Sequence, residues 1–135
     1  MTLIVCLDDR NGMMFNKRRQ SQDSVLRARI VNASGENKLW MSPYSAKQFE
    51  DDAQIEVDEN YQKRAGKNDI CFVEDMPISL SRVDRIIIYR WNRHYPADKH
   101  FDIDLDKKGF KLTSTDEFAG SSHEKITEEI YELLK

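Results

Sequence analysis

The sequence predicts an α/β domain: a mostly parallel sheet with helices on both faces and a helix at the C-terminus, residues 1–135 forming a single domain. Three observations predict it. Short continuous apolar runs at residues 3–7, 69–74 (DICFVE) and 85–90 (RIIIYR) are bounded by charges and turn residues, as in strands buried on both faces. Between them lie segments that open with helix caps: Asp23 or Ser24, then Ser42-Pro43, then Asp58. Strands separated by helices join in parallel through crossovers, which gathers the loops at the strands' C-terminal ends on one edge.

In chain order, residues 3–7 form the first strand and Asn11-Gly12 turns the chain. A helix carries Val25, Leu26, Arg29 and Ile30, with Gly35 ending it. Residues 38–41 are a brief strand, followed by a helix from Ser42-Pro43 to about Glu50. A third strand spans 54–57, and Asp58 caps a short helix that Gly66 ends. After the two strongest strands, a weaker one covers 110–114. The tail SSHEKITEEIYELLK is expected to be helical. Ser121 and Glu124 fit a capping box, and Ile126, Ile130, Leu133 and Leu134 share a helical face. As a strand, the tail would place Glu128 and Glu132 on the face of Ile126 and Ile130.

Composition narrows the function classes. With 24 acidic against 21 basic side chains and a net charge of −3, bulk nucleic-acid binding is disfavoured, although a local basic patch survives that balance. Cys6 and Cys71 both sit in apolar runs, where a cysteine acts as a small buried hydrophobe. The N-terminal apolar run is too short for an export signal or a membrane span, so a cytoplasmic location and no membrane partner are expected.

The charged residues collect where the strands end. Asp8 and Asp9 close the first strand, as an acid pair for a metal or as acids that cap the turn. Lys17, Arg18 and Arg19 join Arg90, Trp91, Arg93, His94 and Tyr95 in the most suggestive set. Guanidinium forks suit carboxylate or phosphate, and aromatics supply a stacking face. Ser42 opens a helix whose free amides suit an anion. In DKHFDID, Asp98, His100, Asp102 and Asp104 alternate like hard-metal ligands, or like the polar face of an edge strand with Phe101, Ile103 and Leu105 opposite. No metal site is assigned from them. No Ser-His-Asp order, phosphate-binding glycine loop or zinc-cysteine spacing is present.

Several strings resemble a pared-down dihydrofolate reductase. LIVCLDDRNGMMF followed by QDSVLRARI matches that family's opening strand, turn and first helix, with Asp23 at the position of the family's acid. LWMSPYSAKQF is similar to its second strand and following helix, and RIIIYRWNRHYPADKHFDIDL with FKLTSTDEF to its late strands. The resemblance implies a reductase-like or Rossmann-like fold, a pterin- or nucleotide-like ligand, and Asp23 as proton donor. Where the family holds its cofactor's phosphates, this chain has Ser42-Pro43-Tyr44-Ser45. In place of a Gly-Gly pair it has Glu74-Asp75, acids that would repel a pyrophosphate. The cofactor is therefore left open. The chain also resembles short bacterial proteins sometimes labelled ribonuclease Z, but its three histidines do not form that enzyme's His-x-His-x-Asp-His zinc motif.

The expected function is binding of a small anionic ligand at the strand-end edge. Arg19, Ser42, Arg90, Trp91 and Arg93 would form the site, Asp23 would be the only inherited acid, and turnover is open. The alternatives are a nucleic-acid binder or nuclease, and an interaction module whose C-terminal helix docks a partner or a second copy.

Overall fold

The computed structural model describes residues 1–49 and 54–134. Among the described residues, ten strands and three helices follow in chain order: β1 (Thr2–Leu7), β2 (Gly12–Phe15), β3 (Arg18–Arg19), α1 (Ser24–Ser34), β4 (Leu39–Met41), α2 (Pro43–Ala46), β5 (Ile55–Val57), α3 (Tyr61–Arg64), β6 (Ile70–Phe72), β7 (Arg85–Arg90), β8 (Lys99–His100), β9 (Phe110–Phe118) and β10 (Ile126–Leu133). Seven strands form one mixed sheet in the order β5-β4-β6-β1-β7-β10-β9. The first five of these run parallel, and β10 is antiparallel to both β7 and β9. A three-stranded sheet, β3-β2-β8, stands beside it.

The apolar runs are central because both their faces are covered. Leu3, Val5 and Leu7 of β1 enter one core with Cys71, Ile86, Ile88, Met13 and Met14. Ile4 enters the other with Phe72, Ile87, Tyr89, Leu26 and Ile30. The covers are unequal. The eleven-residue α1 packs on the second face, whereas the first is closed by the single turn α3 together with β2 and loop side chains such as Val83 and Phe101.

The expected C-terminal helix is a strand. β10 pairs with β7 from Thr127↔Arg90 to Glu132↔Arg85, and with β9 along its other edge. The side-chain alternation that argued against this arrangement is present, and neighbouring cations neutralise it. Glu128 lies on the face of Ile126 and Ile130, where it accepts from Tyr89 Oη at 2.9 Å and Arg29 Nε at 3.1 Å. Glu129, on the opposite face, accepts from Arg90 Nε at 3.0 Å. Ser121 caps no helix of its own: its Oγ accepts from the amide of Ser24, the first residue of α1. A docking helix is accordingly absent among the described residues. No helix there is long and apolar enough to cross a membrane.

Smaller differences concern ends. α2 stops at Ala46 rather than near residue 50, and Glu50 itself lies outside the described residues. Asn60, not Asp58, precedes α3. Asp58 instead accepts from the Asn60 amide at 2.7 Å. The strand expected at 110–114 runs on to Phe118, with a register shift opposite Ile130 and Tyr131 that leaves Thr113 unpaired.

Candidate functional site

Asp23 organises the strand-end edge. It is the cap of α1, accepting from the Val25 and Leu26 amides at 3.0 and 3.2 Å through Oδ1. The loop between β9 and β10 closes over it. Ser121 donates its amide to Oδ1 at 3.0 Å, and Ser122 donates its amide to Oδ2 at 2.8 Å. His123 Nδ1 lies 2.9 Å from Oδ2. This approach requires glycine at 120: a Cβ there would fall 2.4 Å from Asp23 Oδ2. Burial alone would push the Asp23 carboxyl up. The donors from Ser122, His123, Ser121 and Leu26 outweigh it and hold the group well below the usual carboxylate range. Asp23 is therefore an anion at neutral pH, with its side chain fully enclosed.

An anionic partner fixes the His123 tautomer. With Nδ1 donating to Asp23, Nε2 is the acceptor of the neutral imidazole. Two hydroxyls face it, Ser21 Oγ at 2.9 Å and Tyr95 Oη at 3.2 Å. The buried Trp91 ring stacks on the imidazole, centroids 4.5 Å apart and planes at 29°.

Asp8 is occupied by the turn it closes. Oδ1 accepts from the Arg10 and Gly12 amides, and Oδ2 from Gln20 Nε2 and the Tyr95 amide. Burial raises its pKa, and these four donors outweigh it, so the net shift is downward. Gly12 is needed for close packing, since an added Cβ would lie 2.6 Å from Gln20 Nε2 and 2.7 Å from Ala97 Cβ. Asp9 is exposed.

The acids after β6 bind the chain's own donors. Glu74 accepts from Arg19 Nε at 3.1 Å and from Gln48 Nε2 at 3.0 Å. The same guanidinium lies over the Tyr44 ring, 4.6 Å from its centroid. Ser42 caps α2 and donates its Oγ to Asp75 at 2.8 Å, so an internal carboxylate already stands beside that helix start.

Between α1 and residues 47–49 opens a cleft of about 680 Å³. Its described lining includes Arg19, Arg27 and Lys47, with Gln22, Asn32 and Gln48 as further polar groups and Ala28, Val31 and Phe49 as apolar ones; it includes no carboxylate. A much smaller space, about 10 Å³, lies against Ser21, Asp23, Phe72 and Trp91, and shares Gln22, Arg27 and Gln48 with the cleft.

The predicted site residues thus divide. Asp23, Arg19 and Trp91 converge on this edge, and Ser42 is buried beside Asp75. Arg90 lies away from the cleft, bound to Glu129 and, at 2.6 Å, to Asn11 Oδ1. Arg93 is exposed and contributes its carbonyl to the Asp9 amide. In DKHFDID, Asp98 and Asp104 accept backbone amides, and Phe101, Ile103 and Leu105 pack on the core. Ser21, Arg27, Lys47 and His123 escaped the sequence reading. Gly120-Ser121-Ser122 is a turn signal that could have separated two strands and exposed His123, but the competing capping-box pattern masked it.

No family model matches this sequence, and no characterised protein matches it by sequence comparison. Among solved structures, the chain is similar to a dihydrofolate reductase from Enterococcus faecalis complexed with NADP(H) and RAB-propyl, with a TM-score of 0.68. The superposition covers 97% of this chain and 94% of that one at 9% identity. The fold is dihydrofolate reductase-like.

Proposed function

We propose that this protein binds a small anionic ligand, nucleotide- or pterin-like in size, in the cleft between α1 and residues 47–49. The observation that carries the reading is the charge of that cleft: Arg19, Arg27 and Lys47 line it and no described carboxylate does. Its volume of about 680 Å³ falls within the range that holds one small molecule. Arg19 is already paired with Glu74, so Arg27 and Lys47 supply the cationic charge not matched by an ion pair among the described residues. Phe49, Val31 and Ala28 offer apolar surface to a ring.

A reductase is the less favoured form of this reading. A carboxyl that served a bound ring would need a free face. Asp23 has none, because its two oxygens already take donors from α1, Ser121, Ser122 and His123. Glu74 and Asp75 further oppose a pyrophosphate at the end of β6.

A thermal-shift panel of inorganic phosphate, nucleoside phosphates, NADPH and folate tests the proposal. A ligand at one hundred times its dissociation constant stabilises the native state by about 2.7 kcal/mol, a shift of several degrees for this size. Arg27→Ala should lower the affinity of a hit by about 10- to 100-fold, because a charge-assisted contact contributes about 1.5–3 kcal/mol. A flat panel, or an affinity indifferent to both Arg27→Ala and Lys47→Ala, rejects the site.

A further inference from the structure

Three groups that the sequence does not align come together in space. Asp23 Oδ2 meets His123 Nδ1 at 2.9 Å, and His123 Nε2 meets Ser21 Oγ at 2.9 Å. An acid on one imidazole nitrogen and a hydroxyl on the other is the arrangement that activates a serine: the acid fixes the tautomer and the free nitrogen takes the hydroxyl proton. We propose that Ser21 and His123, with Asp23 positioning the imidazole, form a nucleophilic centre that hydrolyses carboxylic esters of small anionic molecules. The anionic part of this proposal rests on the cleft reading above. The triad itself does not.

Access and surroundings fit the role. Asp23 and His123 are buried, whereas Ser21 is half-exposed and borders the small space that shares Gln22, Arg27 and Gln48 with the cationic cleft. An ester whose charged end lies against Arg27 and Lys47 would reach Ser21 past Gln22 and Gln48, which line both spaces, with the Glu74 carboxylate also lining the smaller one. The amide of Gln22, the residue after the nucleophile, donates to no group among the described residues, and in this mechanism it would serve the developing oxyanion. Trp91 covers one face of the imidazole, ring centroids 4.5 Å apart. Tyr95 Oη, 3.2 Å from Nε2, is the competing hydroxyl.

The chemistry balances with water alone. Ser21 Oγ bonds to the acyl carbon as its proton passes to His123 Nε2. The carbon–oxygen bond to the alcohol breaks, and the alcohol leaves with that proton. Water, deprotonated by His123, then attacks the acyl-serine, releasing the acid and restoring the Ser21 hydroxyl.

Diisopropyl fluorophosphate, a neutral probe that needs no anion site, tests the centre on the full chain by intact mass and peptide mapping. One equivalent on Ser21, lost on prior unfolding and in Ser21→Ala, is expected. An unlabelled Ser21 in folded protein overturns the nucleophile whatever the cleft binds, and label on Tyr95 does the same. Asp23→Asn should slow labelling on the order of 100-fold or more. Imidazole nitrogen-15 shifts should place the proton of His123 on Nδ1 in the native chain and no longer in this variant; a proton on Nε2 in the native chain overturns the assignment of roles. Hydrolysis of 4-nitrophenyl hemisuccinate should exceed that of 4-nitrophenyl acetate, with the preference reduced in Arg27→Ala. A labelled Ser21 without that preference keeps the centre and overturns the anionic substrate.

Discussion

Asp23 shows how one side chain carries a local and a long-range task. Its capping of α1 is readable from sequence, because Asp before an apolar helical pattern is a common start signal. Its bond to His123 is not, since the partner lies 100 residues away in a segment with good helical periodicity. Truncation should therefore cost more than a cap. Asp23→Ala removes the acceptor from His123 and from the Ser121 and Ser122 amides as well as from α1. A loss of about 3–5 kcal/mol is expected, against about 1 kcal/mol for a cap alone. Urea denaturation separates the two, and a loss near 1 kcal/mol would mean the loop's bonds are replaced by water. Gly120→Ala addresses the same contact from the other side. Its methyl group would enter the space of Asp23 Oδ2, so a loss of about 1–3 kcal/mol is expected, with a falling melting temperature as the readout.

At the scale of elements, the sequence was most legible where burial is two-sided. β1 and β7 read correctly because continuous apolar runs between charges have few other homes, and β7 matched its expected bounds, Arg85–Arg90. The tail misled because its helical and strand patterns compete, and the deciding facts are cations on other elements. Arg29 and Arg90 make Glu128 and Glu129 acceptable in a half-buried strand. β10 is then internal to the sheet, between β7 and β9, and its loss should be global. Ile126, fully buried in the core cluster that holds Leu26 and Tyr89, should cost about 2–5 kcal/mol on truncation to Ala. Amide exchange offers an independent reading: β10 amides should be protected as strongly as those of β7, and fast exchange would contradict the pairing. The β2–β3 hairpin gives a gain instead. Asn16 and Lys17 both hold positive φ, 51° and 61°, in a two-residue turn. Asn tolerates that backbone and Lys does not, so Lys17→Gly should stabilise by about 1 kcal/mol.

Across the whole molecule, buried carboxylates tie distant segments to the strand-end edge, and this sets how the protein should respond to acid. Asp8 joins the β1 turn to Gln20 and to the Tyr95 amide, and Asp23 joins α1 to the β9–β10 loop. At the opposite end, Asp69 accepts from Trp40 Nε1 and the Lys38 and Gly66 amides. For all three, burial pushes the carboxyl up and the hydrogen bonds outweigh it, leaving the folded-state pKa below the ordinary aspartate value. The folded chain therefore binds fewer protons than the unfolded one in this range, and acid favours unfolding. Their contribution is fully present above the unfolded carboxyl range, near pH 4, and is lost progressively as pH falls through the folded values. Urea midpoints should accordingly be level in these groups' contribution above about pH 5 and fall steeply below about pH 4. Asp23→Asn should start from a lower plateau and descend less steeply, because one of the three linked groups no longer titrates. Equal slopes in the two proteins would show that Asp23 does not hold its proton affinity low in the folded chain, and would remove the ionised acid on which the His123 tautomer depends.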